Sequence, residues 1–242
     1  MTNIYDIYTT SHINEASILN IDDAIREGDT VTTIIDFINN NYHEIPYDKL
    51  IISKHKIDGK YQISTDVHVG VKNNKITTLV NDLFVWDTVK TFSCNNCKNL
   101  KSLEGTPKKV NSYFTCNYCD SLINLIGAPE EVNNFYCNHC KNLKSLEGAP
   151  KTCINFDCTF CDSLINLIGA PEYVDTEFNC SYCKNLSSFE GIKWKSVHHF
   201  SCKGTSIRLP ASEIKKIVHS KYTTTDYRPN RTNKLTTNVV WW

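Results

Sequence analysis

The feature that most constrains this chain is a repeated motif. The pattern C-x-x-C-x-x-L-x-x-L-x-G occurs, with small changes, five times between residues 94 and 191, and a degenerate sixth copy begins at Cys202. The five copies begin 21 or 22 residues apart, at Cys94, Cys116, Cys137, Cys158 and Cys180. A fixed period of this length is typical of a solenoid, in which each unit buries its apolar face only by stacking on its neighbours. The sequence therefore predicts a stack of short coils.

Written in register, one coil reads V-x-x-F-x-C-x-x-C-x-x-L-x-x-L-x-G, mostly followed by x-P. Phe135, Tyr136 and Cys137 fit the in, out, in alternation of a short strand. The second cysteine lies where the chain turns out of the strand, two leucines line a returning arm, and glycine with proline forms the corner. We expect one short strand per coil, with all of these strands parallel.

This unit resembles the leucine-rich-repeat family, whose pattern is L-x-x-L-x-L-x-x-(N/C)-x-L. The successive positions are taken, with one extra residue before Phe114, by Val110, Phe114, Cys116, Cys119 and Leu122. The resemblance covers roughly residues 61–210, and L-x-x-L-x-G-A-P units of this style are similar to repeat proteins of phages and large DNA viruses. It implies a parallel-stranded solenoid whose strand face binds a protein partner. Cysteine replaces the second strand leucine of the family.

The pattern changes along the chain predict three regions. Residues 1–58 are expected to form a helical N-terminal cap or small domain, with helices over INEASILNIDDAIREG and TVTTIIDFINNNYHEI. Residues 59–210 form the solenoid, whose first coil, from Tyr61, lacks cysteines. Residues 211–242 are expected to form a short helix, SEIKKIVHSK, with Ser212 as its N-cap, and a basic tail. That tail is predicted to be flexible to about residue 236, with its apolar end docked.

Charge and targeting signals restrict the partners. The formal net charge is zero, so the chain lacks the overall basic character of many proteins that bind nucleic acid or membranes. The ends differ, however, because residues 1–58 sum to 4 − 10 = −6 and residues 203–242 to 8 − 2 = +6. No secretory signal and no transmembrane run are recognisable, so we predict a cytoplasmic protein, with a virion as the alternative.

The 12 cysteines allow three interpretations. In a reducing compartment we expect thiols that pack as small apolar groups, with disulfides as an alternative. The spacing C-x2-C-x18-C-x2-C also fits a four-cysteine zinc site. Five pairs do not divide evenly into such sites, however, and each cysteine falls on an inward or turn position. We therefore predict structural thiols, without a metal or another cofactor.

A second-order repeat lies on top of the first, because residues 94–136 and 137–179 are two copies in which KNLKSLEG alternates with DSLINLIG. Stacking predicts a column of alternating charge, formed by Lys98, Asp120, Lys141, Asp162 and Lys184. Four isoleucines lie between charged residues of neighbouring coils, namely Ile123, Ile126, Ile165 and Ile168. Lysine stems would cover them, or they form an apolar stripe. We favour the covered arrangement.

Aromatic residues recur between the two cysteines of each pair, at the end of the strand face. The predicted partner-binding residues are Tyr118, Tyr136, His139, Phe160 and Tyr182. Exposed aromatics among small polar residues are typical of protein-recognition surfaces. Two alternatives remain: rings that only stack between coils, and a platform for single-stranded nucleic acid. Lysine is not concentrated beside this column, so nucleic acid would need the basic tail with Arg228, Arg231 and Lys234.

Signals of catalysis are absent from the sequence. It contains no Gly-rich phosphate loop, no G-x-S-x-G and no H-E-x-x-H, and His198-His199 is its one histidine pair. We therefore expect a non-enzymatic protein-protein interaction scaffold that binds its partner on the strand face. The alternative is a structural or assembly subunit, viral proteins included, that self-associates through the acidic head and the basic tail.

Overall fold

The computed structural model of this protein describes residues 18–19, 30–43, 45–53 and 56–225. One sheet contains ten strands in sequence order. They are β1 (Ile18–Leu19), β2 (Ile51–Ser53), β3 (Tyr61–Gly70), β4 (Phe84–Ser93), β5 (Lys109–Thr115), β6 (Glu131–Tyr136), β7 (Thr152–Asp157), β8 (Tyr173–Asn179), β9 (Ser196–Ser201) and β10 (Ser220–Thr224). Two α-helices, α1 (Thr30–Asn41) and α2 (Ala211–Val218), and a 3-10 turn at Tyr47–Lys49 complete the described elements.

The strands from β3 to β10 run parallel, each hydrogen-bonded to the next. The predicted parallel-strand solenoid is confirmed. Its register places equivalent residues of successive coils side by side, as in the pairing of Phe135 with both Phe114 and Phe156. Coils with an extra strand residue, such as the one before Phe114, accommodate it through a local register shift.

The centre of the core is a column of phenylalanines, one from each coil. All are fully buried, and neighbouring ring centroids lie between 5.0 and 5.9 Å apart. The column consists of Phe92, Phe114, Phe135, Phe156, Phe178 and Phe200. A ring at the first inward strand position must meet its equivalent one coil away, because the phenylalanines of neighbouring strands pair directly with each other. The repeat of the sequence therefore becomes a repeat of side-chain contacts.

The returning arm is also tied from coil to coil. The backbone N–H of Leu125 donates to the carbonyl of Glu147 (2.8 Å), and that of Leu146 to the carbonyl of Ile168 (2.9 Å). The corner glycine of each coil allows neighbouring arms to come close enough for these hydrogen bonds. Gly148 has φ +91°, and a Cβ at this position would overlap the backbone of Ile126 and Leu125. Glycine is therefore required both for the left-handed backbone and for the close approach of two coils.

All 12 cysteines are buried and free of disulfides. The second cysteine of a pair donates its thiol to the carbonyl of the first cysteine in the preceding coil, as Cys119 does to Cys94 (3.2 Å) and Cys140 does to Cys116 (3.2 Å). Burial raises the pKa of Cys97 and of Cys153 to about 12, so both thiols are protonated at neutral pH. The cysteines thus act as small core residues that satisfy turn carbonyls.

The N-terminal region differs in part from the prediction. The second predicted helix is present as α1, and Tyr42, directly after it, packs edge-on against Trp86 (5.4 Å). The first predicted helix is wrong at Ile18–Leu19, which form an antiparallel strand on β2, and β2 pairs antiparallel with β3. Backbone pairing extends the sheet at this end by two antiparallel strands, which a helical pattern read in isolation does not reveal. The rest of the first predicted helix lies outside the described residues.

The C-terminal region also required two corrections. The helix is present as α2, but the residue at its N-cap is Pro210, without a side-chain cap, and not Ser212. The helix also ends at Val218, and the strand β10, parallel to β9, takes the last two residues of the predicted helix and the start of the predicted flexible tail. Its threonine-rich sequence favours an extended backbone that extends the sheet by one more rung. The docking of the apolar end concerns residues outside the described part, and the boundaries at 58/59 and 210/211 stay predictions.

The corner glycines provide a test of coil stacking. We expect Gly148→Ala to lower the free energy of unfolding by about 3 kcal/mol or more, because it adds backbone overlap to an unfavourable φ. Gly59→Ala is the matched control, since Gly59 has φ +81° but no atom within 4 Å of an added Cβ. It should cost only about 1–2 kcal/mol. Chemical denaturation measures both, and equal losses would contradict the role of close approach.

The buried thiols provide a second test. We expect a maleimide to label the native, reduced protein at pH 7.5 at least roughly 100-fold more slowly than the denatured chain, because labelling requires opening of the coil stack. All 12 thiols should react after denaturation. Mass spectrometry of protein purified without chelator measures both the labels and any bound zinc. Fast labelling of a C-x-x-C pair, or stoichiometric zinc, would contradict the assignment as core thiols.

Candidate functional site

The candidate site begins where each strand turns into the next arm of the coil. Tyr118, His139, Phe160 and Tyr182, the second residues between paired cysteines, have φ values of 60°, 59°, 59° and 63°. This left-handed conformation is unfavourable for residues other than glycine and asparagine. We call these four side chains the aromatic ladder. The equivalent turn position is Asn96 in the coil before the aromatic ladder and Gly204 in the coil after it. Both residues also have positive φ.

The rings of the aromatic ladder stack face to face. Centroid distances are 4.5 Å from Tyr118 to His139, 4.5 Å from His139 to Phe160 and 4.8 Å from Phe160 to Tyr182, with planes within 10° of parallel. Tyr118, Phe160 and Tyr182 nevertheless keep 43%, 38% and 45% of their surface exposed. Because neighbouring rings cover each other's faces, the surface offered to solvent consists mainly of ring edges and the tyrosine hydroxyls.

Hydrogen bonds fix the turns that hold the aromatic ladder. The backbone N–H of His139 donates to the carbonyl of Thr159 (2.9 Å), and equivalent bonds link the other turns. Beneath the rings, the side-chain oxygen of Asn95 accepts from the N–H of Asn117 (2.8 Å), and that of Asn117 accepts from the N–H of Asn138 (2.7 Å). This asparagine ladder was not predicted from the sequence, although the recurrence of asparagine after the first cysteine signalled it.

Energetics show that the fold does not require aromatic residues here. The left-handed conformation costs about 1–2 kcal/mol for each such residue, and a stacked pair returns about 0.5–1.5 kcal/mol. Over the aromatic ladder, four such residues cost about 4–8 kcal/mol and three stacked pairs return about 1.5–4.5 kcal/mol, so stacking does not offset the strain. Asn96 and Gly204 fill the same turn position in other coils without a ring. Strained residues that the local structure does not need are concentrated at functional sites. The aromatic ladder is therefore the feature of this face that most needs a function.

Tyr136, the fifth predicted site residue, stands apart from the aromatic ladder. It is half-buried on β6, paired in register between Thr115 and Asp157. Burial, followed by the nearby charge of Asp157, raises the pKa of its hydroxyl. Asp157 also has a raised pKa because of burial, and its carboxylate accepts from the N–H of Thr159 (2.9 Å). The structure thus brings four of the five predicted residues into one stack.

The predicted charge column is only partly formed. Among its described residues, Lys184 and Asp162 are the one pair within 4 Å, at 3.4 Å. One carboxylate oxygen of Asp120 and one of Asp162 are buried without a hydrogen-bond partner. Each of these aspartates thus has part of its carboxylate buried against the turn. The neighbouring lysines of the column are long and exposed, and holding them in one ion-pair geometry costs side-chain entropy. The four isoleucines remain 40–54% exposed, so the expectation that lysine stems cover them is wrong.

Two further features of the strand face were not anticipated. A groove of about 320 Å³ opens at the start of the strands and is lined in part by Cys153, Ile154 and Tyr173. His199, for which the sequence suggested no acidic partner, lies 3.4 Å from Glu177, and its Nε2 is 2.6 Å from the Thr224 hydroxyl. We interpret this trio as hydrogen bonds between strand rungs, because His68 and Thr91 (2.7 Å) repeat the contact at the other end of the sheet.

Comparison of the chain with protein-family models, curated proteins and solved structures gave no match. Among the described residues, no group of three or more His, Cys, Asp or Glu side chains is placed to hold a metal ion. In the same part of the chain, no helix is long and apolar enough to cross a membrane. The aromatic ladder is therefore the candidate functional site of this chain.

The stacking of the rings predicts weak binding to nucleic acid. A base-stacking platform needs free ring faces, and those of the aromatic ladder largely cover one another. We expect the full chain to show no saturable change in the anisotropy of a labelled oligothymidine of about 20 nucleotides at low salt. Saturable binding that weakens as salt is added, and that is lost in Phe160→Asn, would contradict this prediction.

Proposed function

We propose that this protein is a non-catalytic scaffold that binds a protein partner through the aromatic ladder and the adjoining strand face. The observation that supports it most directly is the retention of four aromatic side chains at a left-handed turn position that asparagine and glycine also occupy. Tyrosine and other aromatics dominate the energetics of protein interfaces, whereas they give this turn no clear advantage in stability.

The chemistry of the surface suggests which partner groups it would contact. Ring edges carry partial positive charge, and tyrosine hydroxyls donate hydrogen bonds, so carbonyl and carboxylate oxygens of a partner fit the exposed edges. The Tyr118 and Tyr182 rings lie at the two ends of the stack. Because the turns beneath are held by backbone hydrogen bonds, binding would require little ordering of the scaffold.

The repeat motif also supports a classification of the protein. We infer that the solenoid is leucine-rich-repeat-like and akin to the repeat proteins of phages and large DNA viruses, that it is a cytoplasmic or virion protein, and that it is not an enzyme. The support is the motif, in which Val110, Phe114, Cys116, Cys119 and Leu122 follow the family's spacing. The burial of all 12 cysteines without disulfides agrees with a reducing compartment.

The assembly-subunit alternative rests on the opposite charges of residues 1–58 and 203–242. Most of residues 1–29 and all of residues 226–242 lie outside the described part, so this alternative depends on charge alone. Association through these ends would weaken steeply as salt is added, because salt screens exposed charges. Sedimentation at low and high salt separates this mode from binding through the aromatic ladder, which is largely uncharged.

Selection from a displayed library of random peptides tests the scaffold proposal even though the natural partner is unidentified. We expect most peptides selected on the wild-type protein to lose at least about tenfold in affinity for the variant Tyr118→Asn/Phe160→Asn/Tyr182→Asn, because anchor residues dominate binding. Asparagine suits the left-handed turn, as Asn96 shows, so the variant should keep its fold. Circular dichroism and the melting temperature would show whether the variant keeps the fold of the wild type.

The matched control replaces two apolar residues that are equally exposed elsewhere. Val80 and Ile217 are 47% and 44% exposed, and neither belongs to the aromatic ladder. The variant Val80→Asn/Ile217→Asn should bind the selected peptides as the wild type does. If the variant Tyr118→Asn/Phe160→Asn/Tyr182→Asn bound the selected peptides as tightly as this control does, the aromatic ladder would not be the recognition surface. The proposal would then fail.

A further inference from the structure

A second exposed surface lies on the returning arm, on residues that the aromatic ladder does not use. The returning arm of each coil carries two inward leucine positions, and the residue that follows each of them faces outward. Each coil therefore contributes a row of two side chains to this surface. In two alternate coils the rows are apolar: Ile123 with Ile126, and Ile165 with Ile168. In the coils before and between them the rows are charged: Lys101 with Glu104, and Lys144 with Glu147. We call this surface the arm face.

The arm face is held in place and left open. Backbone hydrogen bonds between coils fix it, as from Lys144 N–H to the Ile123 carbonyl (2.9 Å) and from Leu146 N–H to the Ile168 carbonyl (2.9 Å). The isoleucines are 52%, 42%, 54% and 40% exposed, for Ile123, Ile126, Ile165 and Ile168. Within the described residues, the lysines and glutamates of the charged rows form no ion pair.

The pattern complements a second copy of itself. Consider two copies that meet arm face to arm face, related by a two-fold axis parallel to the solenoid axis. This rotation keeps coil opposite coil and exchanges the two positions of each row. Lys144 then lies opposite Glu147 of the second copy, and Ile123 lies opposite Ile126 of the second copy. Each of these four rows matches itself, so charge meets opposite charge and isoleucine meets isoleucine. In the fifth repeat the row is Ser187 with Glu190, so Glu190 would lie opposite Ser187 of the second copy.

Other face-to-face arrangements lose this match. An antiparallel pair, with the two-fold axis across the coils, leaves each position facing its own kind, so Lys144 would meet Lys144 and Glu147 would meet Glu147. A parallel pair shifted by one coil would place an isoleucine row against a charged row. Both arrangements bury like charges together or charges against apolar groups, which is unfavourable.

We propose that two copies of this chain associate in parallel and in register through the arm face. The occupant of this surface is thus a second copy, chosen by the charge complementarity of its rows. The apolar part comprises two rows per copy, which is small beside the roughly 800 Å² per partner of a standard interface. The dimer is accordingly a weak one that forms at micromolar concentrations.

Sedimentation velocity of the full chain, from a few micromolar upward, tests the proposal. The wild type should show a monomer–dimer equilibrium. Lys144→Glu places four glutamates of two copies in one row and should raise the dissociation constant at least about tenfold. The double variant Lys144→Glu/Glu147→Lys restores opposite charges across the axis and should return the constant to within about threefold of the wild type.

The three results separate the proposal from its rivals. A wild type that remains monomeric at several hundred micromolar would overturn it. Equal dissociation constants for Lys144→Glu and for Lys144→Glu/Glu147→Lys would also overturn it. That result would indicate contacts elsewhere, such as the ends of the chain, whose strength does not depend on residues 144 and 147. The aromatic ladder is unchanged in both variants, so peptide binding there should persist and its failure would be a separate finding.

Cross-linking distinguishes the parallel from the antiparallel arrangement. Copies with Ile123→Cys mixed with copies with Ile126→Cys should form a covalent heterodimer with a short bis-maleimide, because these positions face each other in the parallel pair. Copies with Ile123→Cys mixed with copies with Ile165→Cys should not, since those positions meet only in the antiparallel pair. The native thiols are buried and give a low background. The reverse outcome would overturn the proposed orientation.

Discussion

Close stacking of one coil on the next is the constraint on which this structure depends. Coils approach until the corner glycine of one touches the backbone of its neighbour, as Gly127 does against Leu103 and Glu104. At that distance strands pair, arm amides reach arm carbonyls, and thiols reach the turn carbonyls of the preceding coil. A bulkier corner would separate all three sets of bonds together. Glycine at this position therefore sets the geometry of the core and of both outer surfaces.

Stacking also converts identity in sequence into contact in space. The phenylalanines, the asparagines under the turns and the aromatic ladder are each one class of side chain repeated along a line. Inside the protein such a line fills the core. Outside it produces a regular surface whose spacing is that of the backbone, about 4.8 Å per coil. The aromatic ladder and the arm face differ in chemistry, but both owe their order to this spacing.

Most of the solenoid could be predicted from the sequence, because a period of 21 or 22 residues and the inward Phe, Cys and Leu positions repeat strictly. The chain ends could not be predicted in the same way. At Ile18–Leu19 and Ser220–Thr224 the local pattern is weak, and pairing with the existing sheet decides the structure. The left-handed turn was also missed, since tyrosine and phenylalanine at positions 118 and 160 conceal a conformation that Asn96 and Gly204 would have suggested.

The alternation of charged and isoleucine rows has a consequence for how such an array changes in evolution. Duplication or deletion of one coil would bring two rows of the same kind together and shift every later row by one step. Duplication of residues 94–136 as a whole, which residues 137–179 already resemble, preserves the order. A change in the number of coils therefore preserves the alternation only when coils are gained or lost in pairs.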